Sequence, residues 1–352
     1  MTKKEAFSIQ DLVRKNVRSL QPYSSARDEY SKTGGNMVFM DANENPFNTL
    51  VNRYPDPQQR SLKQRIAERK GVAVEQVFLG NGSDEVLDLL YRAFCEPSQD
   101  NVITLPPTYG MYKVLGGIND VEIKEVLLLP DFQPDVERIL EAQTTGSKLL
   151  FICSPNNPTG NILSAEKIHT LLQKFKGLVV IDEAYADFSK NPSWIDQIAN
   201  YPNLVVTQTF SKALGMAGIR LGVCYASSEI ISVLNRIKPP YNVNELTQQF
   251  ATERFAQLDR MQQELKTILE QRQRLVEALV PVSFIAEVYP SDANFLLIRV
   301  DDARKRYQQL LQKGIVVRNR STQPLCENTL RITVGTPEEN ELLIQTLNDL
   351  IV

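Results

Sequence analysis

Short apolar runs alternate with helical stretches from about Ser61 to Tyr225. The runs Val102 to Leu105, Leu149 to Cys153, Leu178 to Ile181, Leu204 to Thr207 and Leu221 to Cys224 are dominated by Val, Ile and Leu. Unbroken apolar runs of this length belong to strands buried on both faces. The pattern therefore predicts a largely parallel sheet with helices packed on both sides. A further short strand, Val77-Phe78-Leu79, leads into a helix with Val86, Leu87, Leu89, Leu90 and Phe94 at helical spacing.

After Asn244 the pattern turns helical as far as about Leu279, with Phe250, Phe255, Leu258, Met261, Leu265 and Leu269 near the helical period. Such a stretch is expected to bridge two domains. Beyond it, strand-like Ala293 to Val300 and Leu330 to Val334 bracket a helix over Ala303 to Lys313. Thr336-Pro337-Glu338-Glu339 has the form of a capping box with proline in the first helical position. The expected layout is an arm over 1–48 that includes part of a small domain, a large α/β domain over 49–243, and a bridging helix with a small α+β domain over 244–352. The arm is expected to pack on the small domain or on a partner subunit.

Composition narrows the chemistry. With 352 residues, 42% apolar and 23% charged, the chain has room for one large core and a smaller one. A net charge of −3 with no block of lysine and arginine argues against nucleic acid as a partner. Cys95, Cys153, Cys224 and Cys326 show no metal or disulfide spacing, which fits reduced thiols in a cytoplasmic protein. His169 is the only histidine and follows a predicted Ser164 N-cap on an amphipathic stretch, so it is read as structural or surface. That disfavours triad hydrolases and multi-histidine metal sites. No apolar leader core follows Met1-Thr2-Lys3-Lys4-Glu5, and no apolar run approaches the length of a membrane span, so neither export nor membrane residence is expected.

The candidate chemistry centres on Lys212, in the run Thr209-Phe210-Ser211-Lys212-Ala213-Leu214-Gly215-Met216-Ala217-Gly218-Ile219-Arg220. A lysine amine is protonated near neutrality, but desolvated beside a second cation such as Arg220 it becomes a good carbonyl partner. The same run offers hydroxyls and a guanidinium to a phosphate. The strand over Leu178 to Ile181 ends in Asp182, and ligands of open α/β sheets sit outside the carboxyl ends of their strands. A carboxylate there suits a protonated pyridine nitrogen, with Tyr185 aimed at the same ring. Ser154-Pro155-Asn156-Asn157-Pro158-Thr159-Gly160 makes a rigid loop from which the Asn157 amide can donate to a ring oxygen. Gly80-Asn81-Gly82-Ser83-Asp84-Glu85 opens a helix whose Ser83 and Asp84 amides suit a phosphate, although it is neither a Walker loop nor a complete G-x-G-x-x-G. Taken singly, each has an ordinary reading: a surface lysine, a turn-capping aspartate, a proline loop, and helix capping by Ser83.

Taken together and in this order, the segments resemble the fold type I pyridoxal-phosphate-dependent aminotransferases, the aspartate aminotransferase superfamily, over nearly the whole chain. Within that superfamily, Asp41-Ala42-Asn43-Glu44-Asn45-Pro46, Arg53-Tyr54-Pro55-Asp56, Pro106-Pro107-Thr108-Tyr109-Gly110-Met111-Tyr112 and Leu330-Arg331-Ile332-Thr333-Val334-Gly335-Thr336 resemble the histidinol-phosphate aminotransferases. The resemblance implies pyridoxal 5'-phosphate as cofactor, with Lys212 its covalent anchor and the proton shuttle. It implies Asp182 at the pyridinium nitrogen, Tyr185 and Asn157 at the phenolic oxygen, and Tyr109 stacked on the ring. Thr209, Ser211, Arg220 and the Ser83 and Asp84 amides would hold the cofactor phosphate. Tyr54 would reach it from the neighbouring subunit of a homodimer. Arg331 would clamp the anionic end of the substrate, helped by Arg318 and Tyr23. Apart from their company, Tyr54 and Tyr109 read as loop aromatics, Tyr23 as part of a turn-rich entry, and Arg318 and Arg331 as exposed strand arginines.

The implied reaction exchanges an amino group between L-histidinol phosphate and 2-oxoglutarate, giving imidazole acetol phosphate and L-glutamate in histidine biosynthesis. Within the superfamily the alternatives are a threonine-phosphate decarboxylase and an aromatic or broad-range aminotransferase. From another class, the alternative is a non-catalytic cofactor-binding regulator. Loss of the lysine would favour that last reading, and Lys212 is present.

Overall fold

The computed structural model describes residues 7–23 and 38–350. Seven strands form the main sheet: β1 (Val77–Asn81), β2 (Asn101–Thr104), β3 (Glu122–Glu125), β4 (Ser147–Cys153), β5 (Leu178–Asp182), β6 (Leu204–Thr209) and β7 (Leu221–Ala226). Their order is β1-β7-β6-β5-β4-β2-β3. Neighbours from β3 through β6 pair in parallel, whereas β7 runs antiparallel to both β6 and β1. The sheet is thus the expected mostly parallel one with a single reversed strand. An apolar run buried on both faces carries no mark of direction, so the reversal could not be read from its residues.

Alternation along each strand builds two cores. Val179 and Ile181 of β5 join Leu150, Ile152 and Val206 on one face, while Leu178 and Val180 join Phe151, Val205 and Leu90 on the other. All are buried, and each such side chain contributes about 1.5–3 kcal/mol. The helix Ser83–Phe94 lies on the second face with Val86, Leu87, Leu90 and Phe94 turned inward, as its spacing predicts. Ser164 caps the helix Ala165–Lys174 by accepting from the Lys167 amide. On that helix His169 meets the Tyr201 hydroxyl at 2.9 Å and the edge of Trp194, a surface role.

A second, antiparallel sheet contains β8 (Ile285–Val288), β9 (Phe295–Val300), β10 (Arg318–Asn319) and β11 (Thr329–Thr333), in the order β10-β11-β9-β8. Leu296, Ile298, Leu330 and Ile332 face Leu275, Leu279, Leu343 and Leu347 of the covering helices. Thr336 and Glu339 form the capping box, with Pro337 in the first helical position. The helical stretch before this sheet is two helices, Glu245–Phe255 and Leu258–Leu279, separated by a turn at Ala256. Between the two sheets, Phe295 meets the ring of Tyr185 edge-on at 5.1 Å.

The arm behaves differently from expectation. Ile9, Val13 and Val17 pack into the large core beside Leu90 and Leu234, and Arg14 pairs with Glu96 at 3.1 Å. The described part of the arm over residues 9–19 therefore sits on the large domain, because its apolar spacing matches the groove beside the helices Ser83–Phe94 and Ser228–Ile237. All four cysteines are free and buried. Among the described residues, no helix is long and apolar enough to cross a membrane.

Candidate active site

The parallel register aligns the carboxyl ends of β4, β5 and β6, so that Cys153, Asp182 and Thr207 stand side by side. Above this row opens a crevice lined by Ser83, Asp84, Tyr109, Cys153, Asn157, Asp182, Ala184, Tyr185, Thr209, Ser211, Lys212 and Arg220. It brings together all the cofactor residues expected from sequence except Tyr54.

Asp182 forms the floor. Its carboxylate accepts from the Ala184 amide at 3.1 Å and from the Tyr112 hydroxyl at 2.7 Å. Burial raises its pKa, and the Tyr112 and Ala184 donors oppose the rise. Tyr112 has no role in the sequence reading. It lies within the Pro106 to Tyr112 segment, three residues past Tyr109. Tyr109 meets its ring edge-on at 5.5 Å and donates its own hydroxyl to Asp84 at 3.0 Å.

Lys212 opens into the crevice, and its amine makes no hydrogen bond or ion pair among the described residues. The surrounding wall, then Arg331 and Arg220, hold its pKa below the usual lysine range. Asn157 links two partners: it donates to the Tyr185 hydroxyl at 3.3 Å and accepts from Arg331 Nη1 at 2.6 Å. Burial pushes the Tyr185 phenol up.

The far end of the crevice is built for an anion. The helix Ser83–Phe94 follows Gly82, and no side chain caps it, so Ser83 does not act as the cap. Its first-turn amides face outward with the positive end of the helix dipole. Two glycines make this approach possible. Gly82 has φ +79°, and a Cβ there would lie 2.7 Å from Arg220 Nη2. A Cβ on Gly222 of β7 would lie 2.2 Å from the Ser83 amide nitrogen. Arg220, at φ +55°, reaches Asp84 at 3.4 Å, and the Thr209 and Ser211 hydroxyls lie 3.0 Å apart.

The donor set fits a flat aromatic phosphate. It offers an unpartnered amine, a buried carboxylate, an amide–phenol pair, and a cradle of hydroxyls, guanidinium and free amides. Tyr23, Tyr54, Arg318 and Arg331 do not line the crevice. Arg331 touches it through Asn157 and stacks over Phe295 at 5.1 Å. Arg318 is exposed on β10, with its Cα opposite that of Arg331. Tyr54 is half exposed, stacked on Tyr241 at 4.5 Å, and Tyr23 is 73% exposed. Arg320, absent from the sequence reading, sits beside this group. Its alternation with Arg318 along an edge strand is the signal that marks it.

Fold and crevice together define a class I and II aminotransferase, and the family model of that description, "Aminotransferase class I and II", matches residues 39–347. The chain belongs to this family. Within it, the chain is 62% identical to the histidinol-phosphate aminotransferase of Flavobacterium johnsoniae, over 97% of this chain and 98% of the relative. It is 60% identical to the enzyme of the same name from Christiangramia forsetii, over 98% of each chain. The crystal structure of the histidinol-phosphate aminotransferase from Clostridium acetobutylicum superimposes with a TM-score of 0.79 at 25% identity, covering 86% of this chain and 91% of that one.

Proposed function

We propose that this protein transfers an amino group between L-histidinol phosphate and 2-oxoglutarate, with pyridoxal 5'-phosphate as cofactor. One observation carries the reading: identity of 62% over 97% of this chain to an enzyme of that name. When bound, the cofactor supplies an electron sink that lets the Cα–H bond of an amino substrate ionise.

The chain's own residues divide the remaining work. Lys212 would anchor the cofactor, and its amine, once free, would take the proton from the substrate Cα and pass it on. The lowered pKa leaves more of that amine neutral at physiological pH. Asp182 meets the ring nitrogen, held in place by Tyr112 and Ala184. Asn157 and Tyr185 orient the phenolic oxygen, and Tyr109 covers a face of the ring. Ser83, Asp84, Thr209, Ser211 and Arg220 hold the phosphate. Arg331, with Arg318 and Tyr23, takes the anionic end of the substrate, a phosphate in one half-reaction and a carboxylate in the other.

The active unit is a homodimer in which Tyr54 enters the partner's crevice. Val38, Met40, Phe47 and Leu50 support this, because they are 77–91% exposed on the single chain beside the Tyr54 segment. The four buried free thiols suit a cytoplasmic setting. The deciding experiment is 2-oxoglutarate-dependent turnover of histidinol phosphate against phenylalanine and against threonine phosphate. Preference for either competitor overturns the reading.

A further inference from the structure

We infer that Arg320 is a third anion-binding residue, which sets the site's preference for a phosphate-bearing over a carboxylate-bearing substrate. The inference rests on the proposed function and deepens it. Three observations lead to it.

The first is placement. Arg318 and Arg331 are Cα partners across β10 and β11, and the ladder continues as the Arg320 amide donates to the Thr329 carbonyl at 2.9 Å. Residues two apart on a strand share a face, and directly opposed residues share it too. Arg318, Arg320 and Arg331 therefore all project from one face of the small sheet. The other face, carrying Leu330 and Ile332, is taken by the small core. Arg331 over Phe295 and against Asn157 shows that the arginine face looks toward the crevice.

The second is the absence of compensation. None of the three arginines pairs with a carboxylate among the described residues. Arg299 lies on the same face and provides the contrast, since the Tyr289 hydroxyl, the Glu327 carbonyl and Glu287 satisfy it. Holding the half-buried Arg320 and Arg331 close together without a counter-ion is costly unless an anion joins them.

The third is unused donors. Arg320 Nε, Arg331 Nε and the Ser321 hydroxyl are all buried without a hydrogen-bond partner. Native proteins rarely leave such groups unmade, and a ligand is a standard way of satisfying them. Arg320 also weighs more on Arg331 than the exposed Arg318 does: burial first, then Arg320, holds the Arg331 guanidinium below its usual range. A phosphate monoester carries close to two negative charges near neutrality, a carboxylate only one. A third guanidinium on this face therefore favours the phosphate.

The test is steady-state kinetics on holoenzyme with Arg320→Gln and Arg320→Lys, with inorganic phosphate as a separate probe. For Arg320→Gln, the KM for histidinol phosphate should rise on the order of 10-fold, more than kcat falls, while the KM for glutamate moves less than about 3-fold. Arg320→Lys, which keeps charge but loses the planar fork, should fall between. Inorganic phosphate should inhibit the glutamate half-reaction of the wild type, and do so several-fold more weakly in both variants. An unchanged KM for histidinol phosphate, or equal shifts for both substrates, overturns the inference. If Arg320→Gln does not fold, the lysine variant decides by the same two criteria. Wild-type enzyme inert toward histidinol phosphate would sink the functional reading instead, while phosphate inhibition would still report on the anion site.

Discussion

The Tyr112 hydroxyl donates to Asp182 Oδ2 at 2.7 Å, and both side chains are buried. The tyrosine thereby stabilises the ionised carboxylate against a burial that disfavours it. Tyr112→Phe should therefore weaken cofactor binding about tenfold, the worth of one hydrogen bond to a charged group. Equilibrium dialysis of cofactor against apoprotein measures it. Tyr91→Phe is the control, because that hydroxyl donates to the Tyr112 carbonyl and not to Asp182. Equal losses in both variants would mean that only packing had changed.

The amine at Lys212 should titrate below its ordinary 10.5, because the crevice wall, Arg331 and Arg220 all disfavour its charged form. In apoprotein, the pH dependence of labelling by an amine-directed reagent reports the midpoint. Arg331→Met removes a neighbouring cation and should raise it. Asp182→Asn removes an anion that raises it, and should lower it further. Shifts of the same sign in both variants would refute the electrostatic account. Lys212→Ala should cost turnover at least about 100-fold, the lower range for loss of a positioned general base.

Asn157 touches Tyr185 on one side and Arg331 on the other. Substitutions at Asn157 and Arg331 should therefore be non-additive in kcat/KM for histidinol phosphate. A double-mutant cycle with Asn157→Ala and Arg331→Lys should give a coupling of about 0.5–3 kcal/mol. Strict additivity would mean that the 2.6 Å contact is dispensable in the working enzyme.

Gly222→Ala should destabilise the fold by about 1–3 kcal/mol, because the new methyl meets the Ser83 backbone rather than a movable side chain. The same collision displaces the uncapped helix start, so cofactor affinity should fall with it. Gly218→Ala has nothing within 4 Å of the added carbon and should stay within about 0.5 kcal/mol of wild type. Denaturant midpoints of both variants decide the matter.

Residue by residue, the large sheet was legible wherever burial fixed the pattern. The all-buried β5 could hardly be anything but a central strand, and its final Asp182 falls at the crevice that strand position implies. The direction of β7 was not legible, because Leu221 to Ala226 is buried on both faces whichever way it runs. Nor was the placement of Ile9, Val13 and Val17, whose apolar spacing indicates that they are covered but not by what. At the site, Lys212, Asp182, Asn157 and Tyr185 became legible through their joint occurrence in one order along the chain, since each is ordinary when taken singly. Tyr112 and Arg320 did not, since a buried tyrosine and a strand arginine are commonplace until their partners are seen.

β10 is two residues long and forms the rim of the small sheet, bonded on one side only. Side chains at such a rim are exchanged with little penalty to the framework, whereas those around Lys212 are locked among seven strands. On the proposed assignment, anion choice and chemistry are mounted on separate parts: a lineage could revise the anion it accepts by rewriting positions 318 and 320 and leave the residues around Lys212 untouched.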